Sequence, residues 1–446
     1  QNADTLEEKE QYYRRAIEAD PKFVPAYVGL SRVLVRQIYD SGARRDVNLP
    51  EAEAAIETAL RLDPNSADAL VQSAFFAQDG EAEARLRRAI ERNPNYAGAY
   101  EKLSDLLAES GRFEDALRYA EKGVALDPLS DGLRGSLAGS LAALGRFDEA
   151  EVQYRRRVEI NPSQPSALHG LAMFEAYVRD RFTVAVPLLE KVRAVAPDLA
   201  YFYGDLAQLY MDLEDDARWA EVVDEAVNRW PDRTNVNVMA AALAGHRGDQ
   251  LSVARYARKI LETSPQHPAG IGMLAEADLA RGDVAAARDK YAFAYPEFFA
   301  PDLPEVDATN ADLATDIASI LLATGDPARA RVLLDRSERA LRSLPGLDVS
   351  GHDIEYARIY ALRGDRAAAV REIREAVKHG WRGPFWRWIL LYNRDFTAMR
   401  GDPQYQAAVA EIRRDMAEQR AELEKSRQQS PNGGATSEQP GEGTAD

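Results

Sequence analysis

An all-α fold follows from three observations. Proline returns at a near-constant interval, paired amphipathic stretches fill each interval, and small residues stripe the second member of each pair. The architecture they predict is a right-handed superhelical solenoid of stacked helix-turn-helix hairpins. The spacing prolines are Pro21, Pro64, Pro94, Pro128, Pro162, Pro197, Pro231 and Pro265, separated by 43, 30, 34, 34, 35, 34 and 34 residues. A residue that precedes proline is driven out of the α region, so each pair closes a helix on schedule. A period near 34 residues matches two helices and two turns.

Residues 97–128, AGAYEKLSDLLAESGRFEDALRYAEKGVALDP, show the unit most clearly. Tyr100, Leu103, Ser104 and Leu107 fall at i, i+3, i+4 and i+7, which is the pattern of an amphipathic first helix. Gly111 breaks it and Phe113 packs the turn. Ala116, Ala120 and Gly123 then form a small-residue stripe on the second helix. Small side chains admit close approach of the partner helix, and the remaining apolar face needs the next hairpin to cover it. The following unit repeats the scheme with Leu137, Ala138, Leu141, Gly145, Phe147, Ala150, Tyr154 and Pro162. On these residues the chain resembles the tetratricopeptide-repeat family.

The frame continues outward through Leu168, Leu171, Ala172, Ala185 and Leu189, then Tyr203, Leu206, Ala207, Val223 and Ala226. It carries on through Ala240, Ala241, Gly248 and Ala257, and through Leu274, Ala275, Gly282, Ala287, Tyr291 and Ala294. Later units keep the turn glycine (Gly325, Gly364) and lose the closing proline. At the other end, Tyr13, Ala16 and Pro21 read as a second helix without its first, and SGARRDVNLP (41–50) reads as an insertion. The expected organisation is a repeat array over 1–295 and degenerate helical hairpins over 296–380. An aromatic helical cap over 381–425 and a disordered tail over 426–446 follow. PEFFAPDLP (296–304) is expected to kink the array, with a loop at 345–351. In the cap, Trp381, Phe385, Trp386, Trp388, Phe396 and Tyr405 have two readings: a seal on the last hairpin, or an interface hot spot of Trp and Arg.

Composition narrows the function. The 446 residues carry 73 Asp and Glu against 56 Lys and Arg, a formal charge of -17, which argues against nucleic acid as the main ligand. No run of eighteen apolar residues occurs, so no membrane insertion by this chain is expected. There is no cysteine, which removes disulfides, thiolate metal sites and a thiol nucleophile. The chain opens on Gln1, from which removal of an upstream piece is expected.

A search for chemistry returns none. The five histidines, His169, His246, His267, His352 and His379, lie in different units with no metal-ligand spacing. The phosphate-loop pattern is missing, and the glycines of DGLRGSLAG (131–139) read as small groove-lining residues that permit tight helix packing or the approach of a ligand backbone. Acidic runs such as Glu214, Asp215 and Asp216 read as solvated turns. The expectation is therefore no catalytic residue, no metal and no cofactor. A role for the Trp-rich block in an enzyme active site is the competing reading.

The resemblance implies a peptide groove along the concave face, lined by first helices. By register it includes Glu101, Asp105, Gly135, Gly139, His169, Met173, Gly204, Gln208, Met211, Val238, Ala242 and Glu276. Co-chaperones of the family grip a C-terminal carboxylate with Lys, Asn and Arg at such positions. Glu101, Asp105, Gly135, Gly139 and His169 cannot form that clamp. A protein or peptide partner is expected, and no nucleic acid. The stretches YYRRAIEADPKFVPAYVGLSRV (12–33), LRRAIERNPNYAGAYEKLSDLLAESGRFEDALRYAEKGVALDPLS (86–130) and GWRGPFWRWILLYNRDFTAMRGDPQYQAAVAEIRRDMAEQRAELEK (380–425) are also similar to the repeat regions of CadC-like membrane-bound regulators and of membrane-bound cyclases. That likeness implies a bacterial, periplasmic or otherwise extracytoplasmic sensor or interaction region. A free-standing cytoplasmic adaptor, or a non-catalytic subunit of an enzyme complex, is the alternative.

Overall fold

The computed structural model describes residues 5–41, 45–77, 80–307, 309–342 and 352–429. Among these residues every regular element is helical, as expected, and helices adjacent in sequence pair into hairpins that stack on their neighbours. Contacts divide the chain into two units, Gln1–Leu171 and Ala172–Asp446.

In the first unit, helix Leu6–Ala19 precedes four pairs. They are Val24–Ser41 with Arg45–Leu62, Ala67–Ala74 with Glu81–Arg92, Ala97–Glu109 with Phe113–Leu126, and Asp131–Ala143 with Phe147–Ile160. Part of the stretch expected as an insertion is helical, since Arg45–Leu62 includes Pro50. The spacing prolines act as predicted. Asp127, before Pro128, leaves the α region at φ -133°, ψ 87°, and the Ser130 hydroxyl then accepts from the Leu133 N–H at 3.3 Å to start the next helix. At several of these junctions the proline carbonyl is taken up by the side chain six positions later. Tyr27 donates to Pro21, Tyr100 to Pro94 and Arg134 to Pro128, at 2.9–3.1 Å. A polar backbone atom at these junctions is thus satisfied from the following first helix.

The hairpin turn is equally regular. Gly111 sits at φ 72°, its N–H donates to Ala108 O, and the Arg112 N–H donates to Leu107 O, the two bonds of a Schellman end. Beyond it Ala116 and Ala120 are fully buried. A Cβ on Gly123 would stand 2.2 Å from a Leu133 methyl and 3.2 Å from Tyr100 Cβ, so the small stripe is where the helices touch.

The second unit continues with Phe182–Val195 and the pairs Ala200–Asp212 with Asp216–Arg229, Thr234–His246 with Gln250–Thr263, and Pro268–Ala280 with Val284–Ala294. Tyr203 and Asn237 repeat the bond to Pro197 and Pro231. At the expected kink a short 3-10 turn, Pro296–Phe299, buries Phe298, and helical pairing resumes with Ala311–Ala323 and Pro327–Arg342, then His352–Leu362 and Arg366–Lys378. The loop at 345–351 lies outside the described residues, as do residues 430–446 of the tail. The rest of the tail, 426–429, is the end of helix Pro403–Gln429.

Residues 381–429 do more than seal the last hairpin. Trp381, Trp386, Phe396 and Tyr405 are buried, but the segment runs back along the hairpin turns of its own unit. The Trp386 indole N–H donates to Asp212 O at 2.8 Å, Arg387 to Met211 O at 3.0 Å, and Arg420 to Leu213 O and Glu214 O at 3.2 and 2.6 Å. These carbonyls lie at a helix end, where cations are favoured. Farther along, Gln419 caps the start of Phe182–Val195 by accepting from the Phe182 N–H at 2.7 Å, and Arg427 pairs with Glu190 at 2.6 Å.

Two turns under this segment break the glycine rule. Asp180 and Glu214 stand at φ 53° and 55°, in the left-handed region where Gly111, Gly145, Gly248, Gly282, Gly325 and Gly364 stand in other hairpins. A side chain there costs about 1 kcal/mol or more. Both side chains are engaged by the returning segment. Glu214 pairs with Arg413 at 3.2 Å and approaches Arg387 at 3.7 Å, and Asp180 faces Arg382 at 3.9 Å and Gln419 at 3.5 Å. Both strained turns thus carry side chains that the docked segment contacts. Beside them the fully buried Asp212 carboxyl accepts from Tyr177 and from the Phe385 N–H, and burial pushes it well above the usual carboxylate range.

Three outcomes are expected. Ala120→Leu overpacks a closed helix contact and lowers stability by about 1–3 kcal/mol in urea denaturation. Arg387→Ala removes the guanidinium's bonds to Met211 O and Asp216 and weakens docking by about 2–3 kcal/mol. Hydrogen exchange should then rise across 381–429 while helix Pro268–Ala280 stays protected. The third concerns pH. Burial, with Arg382 opposing and Asp415 adding, raises the Asp180 carboxyl from its ordinary value to about 6. The folded form therefore binds this proton more tightly than the unfolded form, and its contribution to stability grows as pH falls from 7 towards 4. Asp180→Asn removes that dependence, so the melting temperature of the wild type relative to the variant should rise over this interval.

Candidate functional site

The first helices of the first unit, with helix Leu6–Ala19, enclose an open groove of about 1180 Å³. Its floor is apolar, with Val33, Val35, Val71, Leu86 and Leu106 among its lining residues. Val71 and Leu106 remain half-buried there, and Phe75, at the end of Ala67–Ala74, is 46% exposed with its ring edge-on to Phe76. Charges rim this floor in satisfied sets. Arg32 pairs with Asp68 at 2.8 Å, and the same carboxylate accepts from the Tyr96 hydroxyl. Desolvation and that hydrogen bond raise the Tyr96 phenol to about 12, so it stays a donor throughout the working pH range.

Glu101 and Asp105, both predicted for the groove, line it one helical turn apart. Between them Lys102 bonds both carboxylates, at 3.1 and 3.2 Å. Partial burial acts to lower the Lys102 pKa, and the two carboxylates outweigh it, leaving the ammonium above its usual range. Asp105 also accepts from Ser136 of the next hairpin at 2.5 Å. The result is an apolar trough edged by fixed charges of both signs. It can hold an apolar peptide face and orient it by polar contacts at the rim.

The other predicted residues of this unit divide by what occupies the space beside them. At Gly135 a Cβ would meet the Arg157 guanidinium at 3.3 Å, and Arg157, 8% exposed, is held there by bonds of 2.9 and 2.8 Å to Asp131. At Gly132 a Cβ would meet the Glu101 carboxylate. At Gly132 and Gly135 the space is taken by neighbouring charged side chains, which is neither of the two roles expected for these glycines. At Gly139 nothing lies within 4 Å, so this glycine keeps open space, and His169 is half-buried with partners of its own.

In the second unit the register positions meet a different fate. Met211 is 4% exposed and its carbonyl receives Arg387, so its side chain offers a partner almost no surface. Gln208 donates to the Tyr177 hydroxyl at 2.8 Å, and Glu276 pairs with Arg394 at 3.1 Å. A Cβ on Gly204 would come within 3.7 Å of the Met239 sulfur, while Met173, Val238 and Ala242 are half-buried. Sequence reasoning missed that residues 381–429 engage this unit. The signal was present in the non-glycine turns at Asp180 and Glu214.

Among the described residues no cluster of three or more His, Asp or Glu has the arrangement of a metal site, and no helix is long and apolar enough to cross a membrane. His246 is held in a structural role, bonded to Asp216 at 3.0 Å and to the Tyr392 hydroxyl at 3.2 Å.

Comparison with known proteins places the repeats. Family models for the tetratricopeptide repeat match residues 80–131 and 107–173. Among curated proteins, the chain is similar to protein O-mannosyl-transferase TMTC3 of Homo sapiens, 28% identical over 44% of this chain and 21% of that one. It is similar also to small glutamine-rich tetratricopeptide repeat-containing protein 2 of Mycosarcoma maydis, 34% identical over 20% of this chain and 27% of that one. The chain thus spans less than a third of the length of either relative. Among solved structures, a chain of the APC/C hetero-tetramer Cut9-Hcn1 aligns with a TM-score of 0.47 and 16% identity over 84% of this chain and 67% of that one. Together with the hairpins described above, the family matches identify residues 80–173 as tetratricopeptide repeats.

Proposed function

We propose that the chain is a non-catalytic scaffold whose first unit grips a peptide segment of a partner protein in the groove between Leu6 and Glu109. The observation that carries this reading is the exposed apolar trough around Phe75 and Leu106, edged by the Glu101–Lys102–Asp105 and Arg32–Asp68 sets. An exposed aromatic ring beside half-buried aliphatic groups gains by covering, and rim charges that are already paired select register more than they add affinity. A bound segment would be amphipathic, with its apolar face on this floor. The repeat matches support a protein-interaction role of this kind.

An extracytoplasmic, bacterial setting belongs to the same reading. It is supported by the likeness of residues 12–33, 86–130 and 380–425 to periplasmic sensor regions. There the groove would receive a peptide signal or a partner of the cell envelope.

A display library of amphipathic peptides selected on the full chain, with affinities read by fluorescence anisotropy, tests the assignment. Phe75→Ala should weaken selected peptides about tenfold with unchanged helicity. The paired reversal Glu101→Lys with Asp105→Lys should change which rim charges the library prefers. Selected peptides that bind both variants as they bind the wild type would remove the groove from consideration.

A further inference from the structure

A second cavity, separate from the groove of the first unit, lies wholly within Ala172–Asp446 and has a volume of about 510 Å³. The returning C-terminal segment forms one wall with Trp388, Tyr392, Arg394 and Asp395, and the other is formed by Glu276 and Asp316 of two first helices and Tyr291 of the second helix Val284–Ala294. From Trp388, Tyr392, Glu276, Asp316 and Tyr291 we infer that this cavity is a binding site for an alkylammonium group.

Three features point to that chemistry. The first is charge. The lining carboxylates Glu276, Asp316 and Asp395 face two guanidinium groups, Arg358 and Arg394, which leaves one negative charge in excess. Arg358, 12% exposed, is committed to Asp316 and Asp395, the latter at 2.8 Å. Glu276 has only Arg394, at 3.1 Å, and its side chain remains 53% exposed. Burial raises its carboxyl above the ordinary range. Arg394 opposes that shift, and Asp395 and Asp316 add to it, as for a carboxylate short of positive charge.

The second feature is the aromatic wall. Trp388 and Tyr392 stand with ring centroids 6.0 Å apart and planes inclined by 51°. They are 39% and 45% exposed, although each belongs to a segment that buries Trp386 and Leu390 completely. Indole and phenol faces attract an organic cation, and the attraction grows when the cation is partly desolvated.

The third feature is an unspent hydroxyl. Tyr291 is 6% exposed and lines the cavity, and among the described residues its hydroxyl has no hydrogen-bond partner. A Cβ built on the neighbouring Gly272 would lie 3.5 Å from that oxygen, so the absent side chain keeps the approach to it open. An ammonium donates up to three hydrogen bonds and accepts none, which suits a phenol oxygen together with carboxylates.

The same ammonium chemistry comes from two sources, a free diamine or a lysine side chain on a peptide. Calorimetry on the full chain should use putrescine in one arm and a capped lysine-containing tetrapeptide in the other. Saturable binding of either probe is expected, weakened about tenfold in Glu276→Gln and again in Trp388→Ala. Putrescine alone binding assigns a free amine, and the tetrapeptide alone binding assigns a lysine side chain. Because Trp388→Ala could loosen the C-terminal segment, Glu276→Gln carries the decision. No saturable binding of either probe, or wild-type affinity in Glu276→Gln, overturns the assignment. Neither result bears on peptide binding by the first unit, whose readout is the Phe75 variant.

Discussion

The close contact of paired helices over buried alanine is the constraint on which both units depend. Ala116, Ala120 and Ala150 in the first unit, and Ala226, Ala257 and Ala287 in the second, are completely buried. A larger group at any of these points would drive the pair apart and shift every hairpin stacked beyond it. Such a contact leaves little room for polar atoms. The junction carbonyls before each first helix and the carbonyls at each helix end must therefore find partners close at hand. The six-residue bond back to proline and the Schellman turn supply them locally.

The second unit departs from this self-sufficiency. At Leu213 and Glu214 the turn carbonyls are given to Arg420, and one turn earlier Met211 O is given to Arg387. The local bonds of the repeat persist there, from the Glu214 N–H to Met211 O and from the Asp215 N–H to Tyr210 O, and partners from a distant part of the chain are added to them. This is also where left-handed backbone is tolerated without glycine. Strain at Asp180 and Glu214 and the distant docking are two sides of one arrangement. The first unit, with glycine at turns 111 and 145, keeps its apolar trough open.

Periodicity made the hairpins legible. Proline spacing, turn glycine and the alanine stripe each report a local requirement, so a single sequence reveals them. The Glu101 and Asp105 positions were legible for the same reason, since helical register fixes the face. What register cannot report is what comes to lie on that face. Arg157 filling the space beside Gly135, and Arg387 over Met211, are tertiary events between residues far apart in sequence. The aromatic block was recognised as structural, but its direction of travel was not. Only the substitution of Asp and Glu for glycine at two turns hinted at a visitor there. Tyr291 read as a repeat-position core residue, and burial agrees. Its unpartnered hydroxyl is a property of three dimensions alone.

The reach of the last helix has a bearing on how the chain is made. A solenoid consolidates from contacts between neighbours, so early hairpins can close as they leave the ribosome. The bond from Gln419 to Phe182 spans 237 positions. At common rates of synthesis that corresponds to a delay on the order of tens of seconds. Throughout it the helix ends near Met211 wait for arginines that have not yet been translated. In the nascent second unit the turn carbonyls of Leu213 and Glu214 therefore stay with water until Arg420 arrives, a wait that the first unit, assembled from near neighbours, does not share.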